Sequence, residues 1–452
     1  MSTILIKNAL VIATMNDSED EVRDGAIFIR DNIIEQIGKT AELLPLAETA
    51  DRIIDLTNHV VLPGLINTHH HMYQNLTRAM VQDGTLFEWL VGLYPIWAGL
   101  TNEMIHISTL TASAELLLSG CTTSSDHLYI FPNDCTLDSQ IRAAGEIGIR
   151  FHAARGSMSL GESDGGLPPD SCVEDEKAIM KDTVRLIETY HDPNQHAMMR
   201  IVVAPCSPFS VTGSLMKDAA ELARSYEHVH LHTHLAETLD EEEFCIATFG
   251  KRPVALMEEY GWLGSDVWHA HCVHMNDSEI VQFGKTGTGL AHCPSSNMRL
   301  GSGIAPICNC IEHKVNIGLG VDGSASNDSS HMLGEARQAM LLQRVVHGSS
   351  SFSARQALKL ATRGGAAVLG RDDIGQLTPG MSADLIAFNI DQLPYAGATH
   401  DPIAAVVFCQ PQNVDWSVVN GKVVVEKGIL QTVDTEWLTR KHIALSTELL
   451  NK

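Results

Sequence analysis

Val267-Trp268-His269-Ala270-His271, Gly289-Leu290-Ala291-His292 and Ile317-Gly318-Leu319-Gly320-Val321 are three short strand-like runs within residues 267–321, separated by segments of helical texture. Strand then helix, repeated, marks a parallel β/α array, because parallel neighbours need a crossover between them. Working outward, Ile201–Ala204 and His230–Leu235 continue the pattern upstream, and Ile105–Leu118 has helical apolar spacing that stops at Gly120. Downstream, Ser353 and Gln356 read as a capping box opening a helix through Leu360, ahead of Gly364-Gly365. Sustained over roughly 300 residues, the alternation predicts a closed (β/α)8 barrel across residues 63–369. No internal repeat accompanies it.

The two ends have a different texture. Ile4–Ala13, Gly25–Arg30, Ile33–Ile37 and Arg52–Leu62 read as strands, with Asp31-Asn32 as a two-residue hairpin turn. Late in the chain, Ala383–Asn389 is a strand, and Trp416–Val419 and Lys422–Val425 flank Asn420-Gly421, both tolerant of positive φ. These ends predict one small β-sandwich assembled from residues 1–62 and 370–452, with Thr435–Leu450 as an amphipathic helix. The rival arrangement, two separate sheets, leaves each too small to bury a convincing core.

With 452 residues, 44% hydrophobic and 19% charged, the composition excludes disorder, collagen and coiled coil. Lys+Arg 31 against Asp+Glu 55 gives a formal charge of −24, which repels phosphate backbones and anionic lipid. Nucleic acid and membrane are therefore not expected as partners, and a small neutral solute is. No apolar run approaches the ~20 residues that span a bilayer. The 10 cysteines form no C-x-x-C pair, and Met1–Thr14 does not read as a leader peptide, so reduced thiols in the cytoplasm are expected.

The 22 histidines cluster. In His69-His70-His71, alternation along an extended chain puts His69 and His71 on one face and turns His70 away. Such a pair either holds a divalent metal or lies on the surface of a strand end. His230, His232 and His234 share a face, but only His234 is far enough along its strand to reach a site on the barrel rim. His230 and His232 read as interior histidines satisfied by hydrogen bonds. Glu237 follows three residues after His234, where a loop can return its carboxylate over the site. His271 ends another strand and Asp322 follows a glycine-rich one; alone, such an aspartate reads as a turn or helix cap. Together these residues place polar groups at the C-terminal ends of several strands, where barrel enzymes build their sites.

Pro63-Gly64-Leu65-Ile66-Asn67-Thr68-His69-His70-His71, His234-Leu235-Ala236-Glu237, His271 and Asp322, in that order, resemble the amidohydrolase superfamily, in its cytosine/guanine deaminase-like branch acting on rings. Gly375-x-Leu377-x-x-Gly380-x-x-Ala383-Asp384-Leu385 is similar to that family's C-terminal strand signature, so the resemblance runs along essentially the whole chain. Residues 71–78, 124–129, 295–303 and 323–328 look like those of the 8-oxoguanine deaminases within the branch, whose relatives often carry a hydroxydechloroatrazine label. The resemblance implies one divalent metal, Zn2+ or Fe2+, bound by His69, His71, His234 and Asp322. The two-metal branch uses a lysine on the fourth barrel strand, and the candidate strand Arg200–Pro205 has none. The H-x-E with P-C-x-x-C pattern of cytidine-type deaminases is also absent.

The implied reaction is hydrolytic deamination of an amino-substituted oxopurine, 8-oxoguanine to urate and ammonia. Glu237 would carry protons, His271 would orient the nucleophile and Asp322 would accept its proton. Gln74 would read a carbonyl and NH edge of the ring, with Glu237 and His271 also touching substrate. Arg155 is a candidate for an oxo group or else a structural ion pair; His127 and Tyr129 are rim candidates. Trp89, Tyr94 and Trp97 suit a lid, a dimer contact or an aromatic platform. Guanine deaminases typically show an arginine where Cys206 stands, which disfavours guanine itself; Cys206 reads as a buried, inert thiol. Isoxanthopterin and hydroxylated triazines remain alternative substrates, and a non-catalytic barrel relative remains the alternative of another class. A homodimer is expected from symmetry statistics and family habit.

Overall fold

The structure, a computed structural model, describes residues 2–452. The first strands belong to a terminal sheet: β1 (Thr3–Ala13), β2 (Glu21–Arg30), β3 (Ile33–Lys39), β4 (Arg52–Asp55) and β5 (His59–Pro63). Eight strands then close a parallel barrel in chain order: β6 (Leu65–Asn67), β7 (Cys121–Leu128), β8 (Arg150–Ser157), β9 (Met199–Pro205), β10 (His230–Leu235), β11 (Val267–His271), β12 (Gly289–His292) and β13 (Asn316–Leu319). The chain returns to the terminal sheet through β14 (Leu385–Asn389), β15 (Trp416–Val419), β16 (Lys422–Glu426) and β17 (Ile429–Leu430).

The expected strands β10, β11 and β12 fall where their apolar runs predict, and the barrel they announce is closed by β13 pairing with β6. The ends form one nine-stranded sheet in the order β17-β16-β15-β14-β5-β1-β2-β3, with β4 beside β1. One shared core joins Ile6, Ile29 and Ile54 of its first strands to Leu385 and Val418 of its last. Both predicted turns are present: Arg30 pairs with Ile33 around Asp31-Asn32, and Val419 with Lys422 around Asn420-Gly421. The two turns meet, with Asn32 Nδ2 donating to Asn420 Oδ1 at 3.2 Å.

Two expectations are corrected. Arg52–Leu62 is not one strand but two, β4 and β5, because Asn58 takes a left-handed φ of 64° and turns the chain between them. Gly364-Gly365 does not end the helix opened by Ser353. The capping box forms, with Ser353 Oγ accepting from Gln356 N and Gln356 Oε1 from Ser353 N. The helix Ala354–Lys359 then widens into a π-helical turn, Leu360–Gly364, and resumes through Val368. The glycines serve close packing: a Cβ on Gly364 would lie 2.1 Å from Ile317 O, and one on Gly365 2.8 Å from Ile66 Cβ. They let this segment lie directly against β13 and β6.

Only Gly64 separates β5 of the sheet from β6 of the barrel. The junction is further tied by Arg150 of β8, whose buried guanidinium donates to Asp384 at 2.9 and 3.1 Å just before β14. No helix among the described residues is long and apolar enough to cross a membrane.

Candidate active site and metal centre

The site lies where β6, β10, β11 and β13 end. Past β6 the backbone pairing continues, with Thr68 N donating to Leu319 O and Asp322 N to His69 O, so the His69–His71 segment and Asp322 are held side by side. His70 turns away and meets Ser330 Oγ at 3.1 Å. Ala236, His271 and Asp322 take left-handed φ values of 50°, 71° and 60°. Non-glycine residues seldom occupy that region, and here it swings strand-end side chains across the barrel mouth.

Main-chain hydrogen bonds fix the tautomers of two of the three facing imidazoles, His71 and His234. A carbonyl only accepts, so the ring nitrogen opposite one must carry the proton. His71 Nδ1 lies 2.7 Å from His127 O, and His234 Nδ1 lies 2.6 Å from Cys206 O, which leaves an Nε2 lone pair on each. Those Nε2 atoms stand 3.0 Å apart. Burial holds the rings neutral, His71 down to about 3 and His234 well below its ordinary range. His69 Nε2 is buried without a hydrogen-bond partner. It lies 3.2 Å from Asp322 Oδ1, and His71 Nε2 lies 3.4 Å from the same oxygen. Burial alone would raise the Asp322 carboxyl, but His69, His271 and His71 outweigh it and hold it well below the carboxylate range. Converging nitrogen lone pairs beside an ionised carboxylate have nothing to donate to one another. A divalent cation fits this donor set.

Glu237 and His271 stand next to that centre. His271 Nδ1 lies 2.9 Å from Asn297 Oδ1, and its Nε2 faces Glu237 at 3.4 Å and Asp322 Oδ2 at 3.8 Å. Burial works against the imidazolium, yet Glu237 and Asp322 prevail and keep His271 above its ordinary value. Burial pushes the Glu237 carboxyl up to about 7, with Asp322 and Glu241 adding to the rise and His271 opposing it. Its loop is anchored by Glu241, whose two carboxylate oxygens accept from Ala236 N and Glu237 N, both at 2.8 Å.

A pocket open to solvent on one side covers these groups. Gln74 reaches it from the turn after His71, with its Oε1 buried and unpartnered; the absence of a side chain at Gly323 makes room for that amide. Trp89 and Tyr94, on the helix Leu86–Trp97, form an apolar roof, and Trp89 Nε1 is anchored on Ala325 O at 3.0 Å. Tyr129 and Cys206 also line the cavity; burial pushes the Cys206 thiol up to about 12, so it stays protonated.

Other expected contacts lie elsewhere. Arg155 does not line the cavity: its guanidinium binds Glu174 at 2.8 and 3.0 Å and Asp182 at 3.0 Å, and stacks 4.1 Å over the Phe131 ring. His127 lies behind the histidines, stacked on His234, with Nε2 donating to Ala204 O at 2.7 Å. Trp97 is fully buried and points its indole N–H at Thr77. Asn297 and Glu241 hold places at the site that their sequence positions alone do not assign. Thr238-x-x-Glu241 has the spacing of a capping box, the available signal for Glu241, and Asn297 lies in the 295–303 segment that carries the family resemblance.

The chain matches the amidohydrolase family over residues 60–424. It is 47% identical over 455 residues to 8-oxoguanine deaminase from Pseudomonas aeruginosa, covering the whole of both chains. It is 37% identical to hydroxydechloroatrazine ethylaminohydrolase from Pseudomonas sp. (strain ADP), over 92% of this chain and 89% of that one. A crystal structure of atrazine chlorohydrolase from Arthrobacter aurescens TC1, complexed with zinc, superposes with a TM-score of 0.93 at 34% identity, over 98% of this chain and 100% of that chain. The barrel, its strand-end constellation and these full-length likenesses agree: this protein belongs to the amidohydrolase family and is an enzyme acting on C–N bonds.

Proposed function

We propose that the protein deaminates 8-oxoguanine hydrolytically, 8-oxoguanine plus water giving urate plus ammonia. One observation carries the reaction class: a buried carboxyl near neutrality, Glu237, stands beside His271 and Asp322 at the edge of a converging set of imidazole lone pairs. The full-length likeness to an 8-oxoguanine deaminase supports the substrate.

His69, His71, His234 and Asp322 would hold one divalent cation, Zn2+ by preference, with Fe2+ the other ion this donor set accepts. When bound, such an ion supplies the Lewis acidity that makes water a nucleophile near neutral pH. Asp322 accepts the attacking water's proton on Oδ2. His271, fixed by Asn297, presents Nε2 to the same water and steadies charge as it adds to the ring. Glu237, protonated over part of the neutral range, gives its proton to the ring nitrogen beside the amino-bearing carbon, making that carbon electrophilic. Asp322 then returns the water's proton to the departing amine, Glu237 takes up the proton of the added hydroxyl as the carbonyl forms, and ammonia leaves with both carboxyls back in their starting states. Gln74 pairs with an oxo and NH edge of the ring, while Trp89 and Tyr94 cover its face and exclude water.

This reading takes a heterocycle and water as partners, the cytoplasm as location, in keeping with ten free cysteines, and a homodimer as assembly. The test is ultraviolet turnover by the zinc-loaded enzyme of 8-oxoguanine, isoxanthopterin, guanine and a hydroxylated triazine. The highest kcat/KM is expected on 8-oxoguanine. Silence on 8-oxoguanine with turnover of the pterin or triazine would transfer the same chemistry to that ring; no ammonia from any of them would remove the deaminase reading.

A further inference from the structure

We infer that His232 is a positioning residue of the metal centre, acting through His69; the inference rests on the reading of His69 as a ligand. His71 and His234 have their tautomers set by main-chain carbonyls, which side-chain substitution at the carbonyl residues leaves in place. His69 is different. Its Nδ1 faces not a carbonyl but another imidazole, His232 Nε2, at 2.8 Å.

A contact between two neutral imidazoles has a defined direction only when one ring is pinned from elsewhere. Trp268 O pins it: His232 Nδ1 lies 3.0 Å away and must donate. His232 Nε2 is therefore the acceptor, His69 Nδ1 the donor, and His69 Nε2 is left as a lone pair. Trp268 holds the assembly at both ends, since its indole stacks on His232 with centroids 4.6 Å apart at 18° and its Nε1 donates to Thr68 O at 3.1 Å, one residue before His69. His69, His232 and Trp268 are all fully buried, so no solvent molecule stands in for a missing acceptor.

The alternative tautomer shows what the arrangement prevents. A proton on His69 Nε2 would point into the centre, where Asp322 Oδ1 lies 3.2 Å away, at present without hydrogen-bond alignment. That tautomer would pair ligand with ligand and compete with a cation. His232 makes it unfavourable by giving the proton a partner on the other side of the ring. Partners that orient metal-bound histidines are commonly worth a 10- to 100-fold change in metal affinity.

Zinc affinity, measured by chelator competition on the full-length protein, and urea unfolding of the metal-free form test the inference. His232→Leu is expected to weaken zinc about 10- to 100-fold, and His232→Gln, whose side-chain oxygen can accept from His69 Nδ1, to recover most of the loss. If the leucine variant does not fold, His232→Asn, too short to reach His69, must show the same weakening. Zinc affinity within twofold of the parent in the variants lacking the acceptor overturns the inference, even if the metal-free protein is less stable. His69→Ala separates the two readings: unchanged zinc affinity there removes His69 as a ligand, whereas weakening there with none in His232→Leu removes only the role of His232.

Discussion

Glu237 is where one atom decides the most. Its carboxyl is near neutrality because burial disfavours the charge, and it meets His271 at 3.4 Å. Glu237→Gln preserves the shape and removes the exchangeable proton. It is expected to bind zinc at the parent's stoichiometry and to lose about 10²- to 10⁴-fold in turnover; turnover within tenfold of the parent would contradict the proton-transfer role. Arg155 makes the opposite case. It is buried and paired with Glu174 and Asp182, which keep part of their exposure. Arg155→Ala should therefore lower unfolding stability by about 1–3 kcal/mol and leave KM within twofold; a large rise in KM would return it to the substrate site. Residue types were legible at this scale, since histidines two apart and an aspartate after a strand are visible in the text of the chain. Tautomers were not, because they depend on carbonyls such as Cys206 O and Trp268 O that only the closed barrel brings into place.

Elements were legible where one local signal governs them. β11 and β12 coincide with their apolar runs, and both short hairpin turns sit on their Asx residues, because each needs only its own sequence. The π-helical turn after Lys359 was not, because its cause is a tertiary approach to Ile317 and Ile66. Gly365→Ala puts a methyl 2.8 Å from Ile66 Cβ and is expected to cost about 1–3 kcal/mol, read from the urea midpoint. Because Ile66 precedes His69 on the same segment, weaker zinc binding should accompany the loss. The roof helix Leu86–Trp97 gives a second expectation. Trp89→Ala removes both ring-covering surface and the anchor on Ala325, so KM for 8-oxoguanine should rise more than kcat falls; an unchanged KM would place the ring elsewhere.

At the scale of the whole molecule, buried histidines outside the metal centre lower stability as acid is added, while the buried carboxyls of Asp126 and Glu335, pushed up by burial to about 8 and about 7, work the other way. His230 and His269 are pushed down to about 4, chiefly by burial. Unfolding lets them protonate near 6.5, so the unfolded chain binds more protons between pH 6.5 and 4, and stability falls as pH falls through that window. Each contributes on the order of 3 kcal/mol that is present above pH 6.5 and gone near pH 4. In urea midpoints of the metal-free protein, the parent's advantage over His269→Gln should shrink between pH 7.5 and 5; an advantage that does not change with pH would refute the assignment. The chain's acidity and its barrel were legible in composition and alternation, but the pairing of β5 with β14 was not, since nothing local says which strands meet across the barrel sequence. That pairing has a consequence for synthesis. β1 and β5 leave the ribosome early, yet the neighbour that covers the open side of β5 is made only after all eight barrel strands, tens of seconds later at ordinary elongation rates. Until then the nascent protein carries a bare, apolar edge of the kind that attracts foreign strands, an edge that gains from shielding until β14 arrives.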